Sequence, residues 1–196
     1  LQQEDKSILE KLRSLIQSKK PFQSQTKLVN NIERTYWRLE ICNENVRNKL
    51  IEFGCLPQKT FNLKFPSIDI VPKHLQHHFI RGYFDGDGCI CVSDKNPRIT
   101  FTGTKDFIVE LQKVLVTSLS ITLTKLYCKP NITNNEFTVN AKWSGTINAI
   151  KIKNYLYEDA TLYLNRKKIK FDSVVAKVNS TKFHLKVDSI ETLNSI

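Results

Sequence analysis

The stretch that decides the reading is Phe79-Ile80-Arg81-Gly82-Tyr83-Phe84-Asp85-Gly86-Asp87-Gly88. Its apolar residues predict the end of a helix running from about Leu75 to Gly86. Gly82 and Gly86 are four apart and so share one helix face. Each costs about 1 kcal/mol against alanine in a helix interior. Close packing against a second helix offsets that cost, because small residues let two backbones approach; the logic is best known in membranes but is steric in origin. Two like helices packed in this way bring their C-terminal ends together. Asp87 sits at that end, just before the chain turns at Gly88 into a strand. Two aspartates meeting there would hold hard divalent cations through oxygen ligands. Two such cations stabilise both the attacking and the leaving oxygen of a phosphodiester cleavage. The alternative is an Asp-Gly turn whose acids solvate a helix end, and the residues alone leave both open.

Downstream, the pattern predicts strands at 89–95 and 98–102, a helix at 105–118, strands near 121–129 and 136–142, and a helix at 146–157. The segment 158–171 reads as helical and the tail from 172 carries weak signals. Upstream, Ile8, Leu9, Leu12, Leu15 and Ile16 form one face of a helix beginning near Asp5. Trp37, Leu39 and Ile41 alternate with Tyr36, Arg38 and Glu40, as in a strand with one buried face. Asn43 can cap a helix that carries Val46, Leu50 and Phe53 and ends at Gly54. Residues 55–73 hold Pro57, Pro66 and Pro72 and read as an extended linker.

The chain repeats itself. At an offset of 99 residues, Ile8, Leu9, Leu12, Leu15 and Ile16 fall on Phe107, Ile108, Leu111, Val114 and Leu115. At an offset of 100, Trp37, Leu39 and Ile41 fall on Phe137, Val139 and Ala141. The expected organisation is a partial first repeat at 1–54 (helix, strands, helix), a linker at 55–74, a complete second repeat at 75–171 and an extension at 172–196. The first copy lacks counterparts of the glycine-bearing helix and the strand pair after it. The chain also contains no Met, which fits a processed or truncated product.

At 196 residues with 40% hydrophobic side chains, the chain is long and apolar enough for a real core and is not wholly disordered. No run of apolar residues is long enough to cross a membrane, and the charged, periodic N-terminus is not a signal peptide. The five scattered cysteines fit free thiols in a reducing compartment, so a cytoplasmic protein (bacterial, phage or organellar interior) is expected rather than a secreted one. The net charge of +11 points to a polyanionic partner, most often nucleic acid.

The segment Ile80 to Gly88 resembles the nine-residue motif of LAGLIDADG homing endonucleases, with apolar helix residues, Gly82, Asp85, Gly86, Asp87 and Gly88 in matching places. LIEFGCLPQKTFNLKFP before it and YLYEDATLYLNRK after it also look like bacterial and phage members. The resemblance spans roughly residues 2–171. It implies an α+β fold: an αββαββα module with a curved antiparallel DNA-binding sheet, here preceded by a partial first repeat. It also implies motif helices from two copies packed at Gly82 and Gly86, and Asp87 as catalytic and metal-binding acid with Mg²⁺ or another hard divalent cation. Asp85 takes the place of the earlier, more structural motif acid, and Arg81 a position that is usually small. The implied activity is cleavage of both strands of a long double-stranded DNA site, as in intron or intein mobility. Only one motif is present, so a second copy or a missing N-terminal repeat would have to supply the paired acid. A non-cleaving DNA- or RNA-binding module on the same fold, a maturase or regulator, is the rival; a basic interaction protein with no nucleic-acid role would leave the glycine-notched helix unexplained.

Strand alternation assigns faces. Ile90, Val92, Ile99, Phe101, Phe137, Val139 and Ala141 are expected inward. The outward set is Cys89, Cys91, Ser93 and Lys95, then Arg98, Thr100 and Thr102, then Lys125, Tyr127 and Lys129, then Thr138, Asn140 and Lys142, with Arg38 from the partial repeat. Hydroxyls, amides and cations in such a mixture suit base-edge contacts in a major groove. Lys142 ends its strand where the family often places a basic residue near the active centre, and it is a second catalytic candidate, for charge developing on the phosphate. Arg166, Lys167, Lys168 and Lys170 read as a phosphate grip or a solvated helix face. His74, His77 and His78 have too few further ligands nearby to predict zinc.

Overall fold

Ile90, Ile99, Phe101, Val139, Ala141 and Trp143 are each at most 3% exposed, and they alternate with residues that are mostly exposed or half-exposed. A period of two puts the buried set on one face of a sheet. The computed structural model describes residues 1–55, 63–92, 96–128 and 138–178. In chain order the elements are α1 (Lys6–Leu15), β1 (Gln23–Val29), β2 (Ile32–Arg38), α2 (Glu44–Glu52), α3 (Gln76–Asp87), β3 (Cys89–Cys91), β4 (Arg98–Thr104), α4 (Lys105–Leu119), β5 (Leu126–Cys128), β6 (Thr138–Ser144) and α5 (Thr146–Tyr157). A further helix, α6, occupies 165–178.

Four strands pair antiparallel in the order β3-β4-β6-β5. Helices α3 to α6 cover the apolar face, where Ile80, Phe84, Phe107, Ile108, Leu111, Leu115, Ile152, Leu156, Phe171 and Val174 join the strand residues in one core. Phe84 lies at its centre, 5.1 Å from Phe101 and 5.6 Å from Phe171 between ring centroids. Burying such a side chain stabilises by roughly 1.5–3 kcal/mol. The fold is α+β, and the helix, two strands, helix, two strands, helix order over 76–157 agrees with expectation.

Caps set the joints. The Thr104 hydroxyl accepts from the Phe107 amide and donates to the Leu63 carbonyl, so β4 passes directly into α4. Such a cap is worth about 1 kcal/mol. The Leu63 contact also corrects one expectation. The stretch read as an extended linker supplies core cover: Leu63 and Phe65 pack against the core, with Phe65 5.4 Å from both Phe79 and Phe107. Trp143 extends β6 beyond its expected end, because its buried indole N–H finds the Thr122 carbonyl.

The last helix is also corrected. It starts at 165 rather than 158 and runs to 178. Buried α3 side chains satisfy the backbone of 156–164 instead of helical bonds: Arg81 donates to the carbonyls of Leu156 and Leu162, and Asp85 accepts from the Leu164 amide.

Residues 1–55 differ. Asn30 and Asn31 both take positive φ (51° and 61°), which closes β1 and β2 as a two-residue hairpin. Asn43 caps α2 through the Val46 amide, and Gly54 follows it with φ +85°. The expected buried strand face over Trp37, Leu39 and Ile41 does not form. β2 stops at Arg38, Trp37 is only half-buried, with the Lys6 ammonium of α1 4.1 Å from its ring centroid, and Ile41 is exposed. Asp5 is the one buried residue in this stretch. It accepts two bonds from the Arg166 side chain, at 3.1 and 3.0 Å. No helix among the described residues is long and apolar enough to cross a membrane.

Candidate nucleic-acid interface

The end of α3 separates its two acids. Two residues along a helix turn the chain by about 200°, so Asp85 faces the core and Asp87 faces out. Asp85 is 6% exposed and accepts from the Tyr157 hydroxyl and the Leu164 amide, both at 3.0 Å. Burial raises its pKa, against the lowering pull of those two bonds and of Lys167 and Arg81. Asp85 therefore joins α3 to α5 and to the start of α6, a structural part. Asp87 is exposed at the helix tip. The chain then leaves through Gly88, whose amide bonds back to Phe84; a Cβ there would collide with the Phe84 ring. Gly82 and Gly86 are exposed, and a Cβ on either would meet nothing within 4 Å. The glycine face is thus open in this chain.

The strand after Gly88 places the outward side chains in rows. Cys89 is registered with Thr100 and Thr100 with Lys142; Cys91 is registered with Arg98. Thr102 is registered with Asn140 and Asn140 with Tyr127. Neighbouring strands are about 4.8 Å apart, so Lys142 lies about 10 Å across the sheet from Cys89, two residues beyond Asp87. The Lys142 ammonium sits 4.8 Å from the Tyr127 ring centroid. Cys89, Cys91, Arg98, Lys125 and Tyr127 are exposed, and Thr100, Thr102, Thr138 and Lys142 are half-exposed. Ser93, Lys95, Lys129 and the inward candidate Phe137 lie outside the described residues.

Two expectations for this face change. Asn140 is 8% exposed: its amide accepts from the Thr102 hydroxyl at 2.5 Å and donates to the Tyr127 carbonyl at 3.4 Å. It braces β4, β6 and β5, because a central position on the sheet lets both neighbours reach it. Arg38 lies on the separate β1–β2 hairpin, where it contacts Glu40 at 3.4 Å, and belongs to no row of the four-stranded sheet.

The basic run divides by helix period rather than acting as one grip. Arg166 pairs with Asp5, and Lys168 with Asp172. Lys170 stays exposed. Lys167 turns inward, 5% exposed, and its ammonium donates to the carbonyls of Phe84, Asp85 and Gly88 at 2.5, 2.8 and 2.7 Å. Burial, then the Arg166 charge, pulls this amine down to about 8. Arg81, the misfit of the motif, is 7% exposed and ties α3 to the residues around α5. Sequence reading missed both roles; nothing in a run of four cations marks which one turns inward.

His77 and His78 stack at 3.9 Å and share the Asp159 carboxylate, 3.0 and 3.7 Å from their Nε2 atoms. Three potential ligand atoms are therefore close together. Arg81 donates into His78 Nδ1 at 2.8 Å, which places the ring hydrogen on Nε2 in the neutral form, facing the carboxylate. Hydrogen bonds account for the cluster as it stands. The bond from His77 is the main cause lowering the Asp159 pKa, and burial is the main cause lowering that of His78.

Residues 75–141 match the family model described as LAGLIDADG-like domain. A search of curated proteins finds no match. Among solved structures, the homing endonuclease I-CvuI bound to the I-CreI target in 2 mM Mg, with the DNA not cleaved, is similar at TM-score 0.38 and 18% identity over 53% of this chain. The same endonuclease with its own target in 2 mM Ca gives 0.37 and 19%, again over 53% of this chain. This chain spans 66% of the length of each.

Proposed function

Because this chain carries a LAGLIDADG-like domain at 75–141, we propose that it is a sequence-specific DNA-binding protein of the homing-endonuclease type. In this reading it cleaves both strands of a long duplex site with the help of a hard divalent cation. One observation carries the reading: Asp87 stands exposed at the tip of a helix whose glycine face is bare, directly before the strand that opens the outward sheet face. An exposed carboxylate at the negative end of a helix dipole is a suitable hard-oxygen perch for Mg²⁺. A bound cation of this kind offsets negative charge building up on a scissile phosphate. Asp87 alone is an incomplete ligand set, so the second acid comes from another motif helix seated on Gly82 and Gly86, supplied by a second copy or another repeat.

The roles of this chain's residues follow from their placement. Arg98, Thr100, Thr102, Lys125, Tyr127 and Thr138 present donors, acceptors and ring faces to base edges and phosphates. Cys91 borders that row, and the proposal keeps Ser93, Lys95 and Lys129, which lie outside the described residues. Lys142, on the inner strand β6 and in register with Thr100 of β4, steadies charge on the phosphate. The rival, a binding module that does not cut, draws on the single motif in the sequence.

The test is to select duplexes from a randomised library in Ca²⁺ and then exchange Ca²⁺ for Mg²⁺. Cutting of the selected duplex is expected. Asp87→Asn should slow cutting by about 10²-fold or more and leave the Kd in Ca²⁺ within about threefold, because other residues position the DNA. Tight binding with no cutting by the wild type would instead establish the rival.

A further inference from the structure

We propose that Lys167 is a positioning residue for Asp87: its buried ammonium fixes the last turn of α3 and the backbone that carries the exposed carboxylate. The inference rests on the nuclease reading above. A helix leaves its last carbonyls without intrahelical partners. In α3, the Phe84 carbonyl takes the Gly88 amide at 2.9 Å and also Lys167. The Asp85 carbonyl takes Lys167, and so does the Gly88 carbonyl on the far side of Asp87. One ammonium thus spends all three of its N–H donors on main-chain oxygens that straddle Asp87. None of these bonds goes to the Gly86 or Asp87 carbonyl.

The placement is costly for stability alone. Taking an ammonium out of water carries a penalty, and an apolar residue of similar size is often neutral or better at a buried charged site. The cation does complement the negative end of the helix and lies 5.0 Å from the Phe84 ring centroid. An ammonium beside a cation perch also repels the cation, so its worth to the reaction is orientation rather than charge. Among the described residues no side chain is hydrogen-bonded to the Asp87 carboxylate, so it gains its direction from the turn beneath it, and reaction rates depend steeply on such placement.

The test uses the duplex selected in Ca²⁺, with single-turnover cutting at saturating Mg²⁺ and protein, the Kd in Ca²⁺, and Tm. Lys167→Met should cut about 10²-fold more slowly with Kd within about threefold of wild type. Lys167→Arg keeps the charge and N–H donors but cannot reproduce the three-way fork, and should be slower by only about tenfold. Cutting by Lys167→Met at the wild-type rate overturns the inference and leaves the nuclease reading standing. If the Met variant does not fold, Lys167→Arg decides: a wild-type rate overturns the inference. Parallel loss of Tm, duplex binding and cutting in every variant reduces Lys167 to a structural part and overturns the role. A wild type that binds and never cuts removes the nuclease reading, and this role with it.

Discussion

Residues 1–55 and 76–178 are made of the same kinds of element and end in opposite states of burial. Among the described residues of the second stretch, twelve large side chains are under 2% exposed, among them Phe84, Phe101 and Trp143. In the first, Leu15, Ile32, Val46, Leu50 and Phe53 are all more than 40% exposed. The amphipathic period is present in both. The second stretch has a four-stranded sheet and helices to cover it; the first has a two-stranded hairpin against which α1 sets the side chain of Lys6, leaving Trp37 half-buried. Periodicity marks which face wants burial, and only a facing layer provides it. In α3 the contrast runs within one helix: Ile80, Phe84 and Asp85 are buried, while Gly82, Gly86 and Asp87 look outward.

Substitutions can break this contrast. The largest effect is expected at Phe101→Ala, which should lower unfolding free energy by about 3–5 kcal/mol in urea titrations. A much smaller loss would mean that the core does not close as described. Next comes pH. The Lys167 amine, pulled down from 10.5 to about 8 in the fold, binds fewer protons folded than unfolded between those values. Its contribution to stability is therefore fully present above 10.5 and is lost as pH falls through 8. Urea titrations at pH 7.5 and 9.5 should show a component that rises with pH in the wild type and is missing in Lys167→Met.

Gly82→Ala separates the bare glycine face from the core. Within this chain the added methyl meets nothing within 4 Å, so it should raise stability by about 1 kcal/mol. The same methyl stands where a second motif helix is proposed to seat, so cutting of the selected duplex should fall. A variant that is stabilised and cuts normally would argue against helix pairing there. The smallest effect is expected at Leu50→Ala, within about 0.5 kcal/mol, as for surface positions generally. A core-sized loss would show that 1–55 packs on something this structure does not contain.

Much of this was legible in the sequence, for identifiable reasons. Alternation over 98–102 and 139–141 carried the sheet faces, because one face is fully covered by helices. The tip of α3 was legible because Gly88 and the two acids stand where the chain must turn. The start of α6 was not, because the polar groups that replace helical bonds over 156–164 belong to Arg81 and Asp85, some eighty residues away. Asn140 was misread for a similar reason: its partners, Thr102 and Tyr127, lie on neighbouring strands. The hydrophobic face of α1 is half-buried at Ile8, Leu9 and Leu12 and exposed at Leu15 and Ile16, a split that the period alone does not carry.

The central claim is that the α3 tip binds a hard cation through Asp87, and paramagnetic broadening tests it most directly. MnCl₂ titrated into ¹⁵N-labelled protein should broaden the amide signals of Asp87, Gly88 and Cys89 first, and Asp87→Asn should remove that effect. Broadening centred on His77, His78 and Asp159, or spread evenly over the surface carboxylates, would contradict the account.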